Sequence, residues 1–153
     1  MHRNVAAAFV AALALGIASC GGAAPLTRAE LSSKIETVCR QATQQAQQQE
    51  ARATRSARKQ SSGEAAVHFL TSALVGQRTI VARIEGFDAS SEAKADFDAF
   101  KAGMKQRAAV FTRIKDAGAG GFQSALAASQ VEVRAISERL QQAANHLGLR
   151  GCV

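Results

Sequence analysis

An antiparallel, up-down-up-down four-helix bundle is the fold this sequence predicts, and three observations carry that all-α reading. Apolar residues recur at alternating three- and four-residue steps in four separate stretches, which is the period of one helix face. A strand-built domain needs β-branched and aromatic residues at period two, whereas this chain has seven Phe and no Trp or Tyr. The single proline, Pro25, precedes the first of the four stretches, so no helix is interrupted.

The first helix is predicted over about 28–59. Thr27-Arg28-Ala29-Glu30 is a capping box, in which the Thr27 hydroxyl takes the Glu30 amide and the Glu30 carboxylate reaches back. Leu26 and Leu31 flank it as a hydrophobic staple. The stripe then runs through Ile35, Val38, Ala42 and Ala46. Beyond Gln41 the composition turns to Gln, Ala and Arg, which keep helix propensity but bury little. The second helix, about 62–85, opens on the box Ser61-Ser62-Gly63-Glu64 and has the seam Ala66, Leu70, Ala73, Gln77, Ile80 and Ile84, widened by Phe69, Leu74 and Val81. Gly86 is expected as a left-handed residue that ends it, with Phe87 folding back.

The third helix, about 91–116, follows a serine pair and has the seam Ala93, Phe97, Phe100, Met104, Ala108, Phe111 and Ile114. Gly118, Gly120 and Gly121 then predict a flexible loop. The fourth helix, about 122–147, runs through Phe122, Leu126, Ser129, Val133, Ile136, Leu140, Ala143 and Leu147. Gly148 and Leu149 repeat the expected stop. Short connections between amphipathic helices favour antiparallel neighbours.

The first 19 residues read as a cleaved leader. One firm positive charge, Arg3, precedes thirteen apolar residues, Val5 to Ile17, too few to span a bilayer. Ile17-Ala18-Ser19-Cys20 then resembles the bacterial lipobox. That resemblance implies a thioether-linked diacylglyceryl on Cys20, which becomes the new N-terminus. Residues 20–26 would be a lipidated tether reaching at most ~20 Å, and 27–153 the helical domain. Two or three acyl chains hold a protein on a membrane almost permanently, where one holds it marginally. The expected location is therefore the cell membrane, lipid-anchored on the extracytoplasmic face. Removing the leader leaves 134 residues with 18 basic and 12 acidic side chains, a net charge of +6.

With Cys20 acylated, Cys39 and Cys152 remain. An exported chain meets an oxidising compartment, so these two are expected to pair; separate thiols and intermolecular pairing are the alternatives. Leu26-Thr27-Arg28-Ala29-Glu30, Cys39 nine residues on and the closing Gly148-Leu149-x-x-Cys152 together resemble a group of small actinobacterial lipoproteins with no assigned activity. The resemblance implies anchoring, the disulfide and helices, and no chemistry.

No catalytic constellation emerges. Glu64 and His68 lie four apart on one helix, but two ligands are not a metal site, and His146 suits the dipole of a helix end. Haem-attachment, phosphate-cradling and nucleophile-elbow patterns are absent, so no cofactor is expected. Arg52, Arg55, Arg58 and Lys59 share one helix face and are the candidate patch for an anionic wall polymer or a protein partner. Basic residues without interleaved aromatics argue against nucleic acid. Phe97, Phe100, Met104 and Phe111 are candidates to line an apolar pocket, and Gln77 and Ser129 are polar points expected to pair or to mark a wet cavity. Two expectations follow: a lipid-anchored helical module acting in protein or cell-envelope interaction, or a lipoprotein that binds a small apolar ligand in its bundle.

Overall fold

The structure, a computed structural model, describes the backbone of residues 24–56 and 61–152 and the side chains of 24–52 and 61–152. The leader and the lipidation candidate Cys20 lie outside the described residues. The domain is an all-α four-helix bundle of α1 (Arg28–Ser56), α2 (Ser62–Ile84), α3 (Ser91–Asp116) and α4 (Gly118–Leu147). No described helix is long and apolar enough to cross a membrane.

Both capping boxes form. The Thr27 amide donates to the Glu30 carboxylate at 3.0 Å, and the Ser61 amide to Glu64 at 2.8 Å. These backbone donors hold both glutamate carboxyls below their usual pKa. The staple forms too: Leu31 is fully buried and Leu26 packs partly buried against the same core.

The predicted seams meet in two core clusters. The first joins all four helices and includes Leu31, Ile35, Ile84, Phe97, Phe100, Met104 and Leu140. The second, around Leu70, Leu74, Val110, Ile114, Phe122 and Ile136, is built by α2, α3 and α4 alone. The Gln-rich half of α1 has no large apolar side chain to offer there, and beyond Ala42 only Ala46 is even partly covered among its described side chains. The bundle is thus four helices deep at one pole and three at the other.

Three local expectations are corrected. The glycines at 118–121 are no loop: α4 begins at Gly118, directly after the single joint residue Ala117. Gly118 makes the turn at φ +66°, a conformation that costs glycine little. The extra turn packs against α2: a Cβ placed on Gly63 would lie 2.7 Å from the Ala119 carbonyl oxygen, so the starts of α2 and α4 approach backbone to backbone. Gly86 is not left-handed; among the described residues only Gly118 and Gly148 have positive φ. The chain instead leaves α2 with Glu85 still helical, and the Phe87 amide donates to the Ile84 carbonyl at 3.0 Å. Ser90 sits at the N-cap of α3 but its hydroxyl makes no capping bond. Its amide donates instead to the Leu26 carbonyl at 2.8 Å, and the Leu26 amide donates to the Asp88 carbonyl at 2.7 Å. This short parallel bridge between Leu26 and Ala89 sews the start of the domain to the α2–α3 loop.

Cys39 and Cys152 form a disulfide, with Cα atoms 5.4 Å apart. Gly148 turns the chain at φ +76°, and the Leu149 amide donates back to the Ala144 carbonyl at 2.9 Å. Leu149 is buried by that stop and steers the tail back towards α1.

Candidate functional site

The change from four helices to three leaves a groove of about 370 Å³ between α1, α2 and α3, within the range of small-molecule sites. Small residues make it. Ala42 and Ala46 on α1 face Ala73 and Gly76 on α2, and a Cβ on Gly76 would stand 3.7 Å from the Ala46 Cβ. Ile80 and the disulfide residue Cys152 close one end, and Phe69 and Phe111 flank the other. Phe69, expected to widen the α2 seam, is 60% exposed at this lip.

Polar groups are few and fixed. Gln77, buried at the groove wall, donates from Nε2 to the Met104 carbonyl at 2.7 Å. The expected partner Ser129 takes no part, so Gln77 ties α2 to α3 instead of α2 to α4. Arg107, half-buried on α3, lines the groove beside Met104. Its Nη2 lies 3.4 Å from the Met104 sulfur, and its buried Nε has no hydrogen-bond partner among the described residues. Burial pulls the Arg107 pKa below its ordinary value; a guanidinium still keeps its charge at neutral pH.

The apolar stripe predicted on α3 divides between two roles. Phe97 and Phe100 are wholly buried core, whereas Met104 and Phe111 reach the groove. Arg107 was not singled out by the sequence reading. Its signal was present nonetheless, since residues 104, 107 and 111 fall on one helix face at three- and four-residue steps.

The basic patch is not brought together in what the structure describes. Arg52 is exposed on α1, the Arg55 side chain is outside the described set, and Arg58 and Lys59 lie outside the described residues. Glu64 is occupied by the capping box and His68 is exposed, and no cluster of three metal-ligating side chains occurs among the described residues.

A second polar cluster marks the pole where α1 starts. Arg28 Nη1 donates to Asp96 Oδ2 at 2.9 Å, and His146 Nδ1 lies 3.0 Å from Asp96 Oδ1. Arg28 also donates to the backbone carbonyls of Glu92 and His146. Arg28 and then His146 hold the Asp96 carboxyl below its usual pKa. With both oxygens engaged, this cluster clamps α1, α3 and α4 together. The groove, by contrast, leaves a charged donor open, and it is the arrangement in the domain best suited to hold a ligand. No family model matches this chain, and neither the curated proteins nor the solved structures searched contain a significant match to it.

Proposed function

We propose that this protein is a lipid-anchored binding protein of the extracytoplasmic face that takes a small apolar molecule into the groove between α1, α2 and α3. The observation that carries the reading is the groove itself: apolar walls of Ala42, Ala46, Ala73, Gly76 and Ile80, with Phe69 left exposed at its lip. Anchoring is supported by Ile17-Ala18-Ser19-Cys20 after an apolar run, and export by a disulfide of the kind oxidising compartments sustain. Along α1, Ala42 to Glu50 lie some 15–23 residues past the tether, or roughly 22–35 Å by the helix rise. The groove would then open above the headgroups rather than among them.

Two measurements test this. Intact mass of membrane-extracted protein, before and after reduction, should fit a chain starting at acylated Cys20 and gain two hydrogens on reduction. A soluble, unacylated species would remove the anchor. A thermal-shift screen against single-chain lipids, quinones and other apolar compounds should find ligands that raise the midpoint, as any ligand selective for the folded state must. Ala46→Leu, which fills the groove, should suppress those shifts.

A second reading, a helical module for a protein or an anionic wall polymer, draws on the net charge of +6 after leader removal and on the polar exposed surface of distal α1, where Gln44, Gln45, Gln48, Gln49 and Arg52 are exposed. Retention on wall polymer, lost when Arg52, Arg55 and Arg58 are changed to alanine, would favour it. Unchanged retention would remove the patch.

A further inference from the structure

The groove holds a charge, Arg107, that no described side chain engages in an ion pair. Arg107 presents up to five N–H donors, yet among the described residues it enters no ion pair, and its only hydrogen-bond partner there is the Met104 sulfur. Thioether sulfur is a weak acceptor, and the Nε proton is buried with no acceptor at all. A buried unsatisfied donor is costly, more so when charged. Of the described side chains lining the groove, which include the polar Gln47, Glu50 and Gln77, none except Met104 is a hydrogen-bond or ion-pair partner of Arg107.

Resting on the groove reading above, we propose that the occupant is a single-chain amphiphile whose carboxylate head is held by Arg107. The guanidinium fork matches a planar carboxylate with two parallel hydrogen bonds. The chain would lie over the shallow floor of Gly76 and Ala46, where nothing larger than a methyl group projects. Along α2 the groove runs from Phe69 to Ile80, roughly 16 Å by the helix rise, so it suits an extended alkyl chain better than a ring system. The single positive charge of Arg107 matches a monoanion, whereas a phosphomonoester carries about −1.5 to −2.

The test uses the full-length chain carrying Cys20→Ser, purified without detergent, so that no acyl chain of its own competes. Laurate, dodecanol and dodecyl phosphate are titrated calorimetrically. Laurate should bind at least tenfold more tightly than dodecanol, the range expected of hydrogen bonds to a charged group. Arg107→Met should bring laurate down to the dodecanol level without lowering the thermal midpoint, because the arginine makes no structural ion pair. Arg107→Lys should recover part of the difference. Equal binding of laurate and dodecanol, or an unchanged laurate affinity in Arg107→Met, would overturn the headgroup assignment while leaving the groove reading standing. Tighter binding of dodecyl phosphate than of laurate would overturn the choice of a carboxylate. Binding of none of the three would end the groove reading and this inference with it.

Discussion

Gly103 shows how closely the helices approach. A Cβ there would stand 3.0 Å from Leu140 Cδ1 and 3.4 Å from Leu140 Cβ, at the centre of the α3–α4 contact. Gly103→Ala should gain helix propensity and still lose stability, by about 1–3 kcal/mol, as overpacking does. A urea unfolding curve reads the sign directly. Asp96 works by charge instead. Its carboxyl is held below the usual pKa by Arg28 and His146, so its stabilising contribution is complete above the unfolded value of about 4 and is lost as pH falls through the folded one. Asp96→Asn should therefore lower the urea midpoint at pH 7, and the gap to the parent protein should close as pH is brought below 4. Neither role was visible from one sequence. Gly103 falls outside the α3 seam read from the periodicity, and Asp96 gains its meaning only from Arg28 and His146, which lie 68 and 50 residues away.

Among the elements, α1 is the one with two characters. Its first half buries Leu31, Ile35, Val38 and Cys39. Its second half, past Ala42, has an exposed polar surface and the small groove residues. Amide exchange should follow that division, with protection strong before Ala42 and weaker by tenfold or more through Gln44–Glu50, because helices with little buried surface open locally. Uniform protection along α1 would contradict the three-helix description of the distal pole. The sequence announced the division through its shift to Gln, Ala and Arg after Gln41. The start of α4 was not announced. Glycines at 118, 120 and 121 argue for a loop on propensity, whereas the close approach of Ala119 to Gly63 packs this turn against α2. Propensity is local information, and that contact joins positions 56 apart.

At the scale of the whole molecule, the closure by Cys39 and Cys152 spans a sequence separation of 113. The chain-entropy account credits a loop of that size with about 4–5 kcal/mol. Reduction, or Cys39→Ser paired with Cys152→Ser, should lower the unfolding free energy by up to this amount, measured in urea with and without reductant. Three cysteines with one claimed for acylation made this pairing readable, and the four apolar stripes made the bundle readable. The groove was beyond the sequence because it is a deficit: it exists where α1 supplies alanine opposite Gly76, and facing registers are set by packing that periodicity does not encode.

The bridge at Leu26 and the crosslink at Cys39 also divide the molecule mechanically. Were the N-terminus held at a membrane as proposed, a tug on it would load the Leu26 bonds to Asp88 and Ser90 first, and the Arg28 contacts next. Should those part, α1 can peel only as far as Cys39, a slack of about 45 Å of extended chain. There the covalent link to Cys152 passes the force to the C-terminal tail. The α1 wall of the groove begins at Ala42, just beyond that stop. The load would therefore reach the groove, at the end that Cys152 closes, only after the first half of α1 had peeled away.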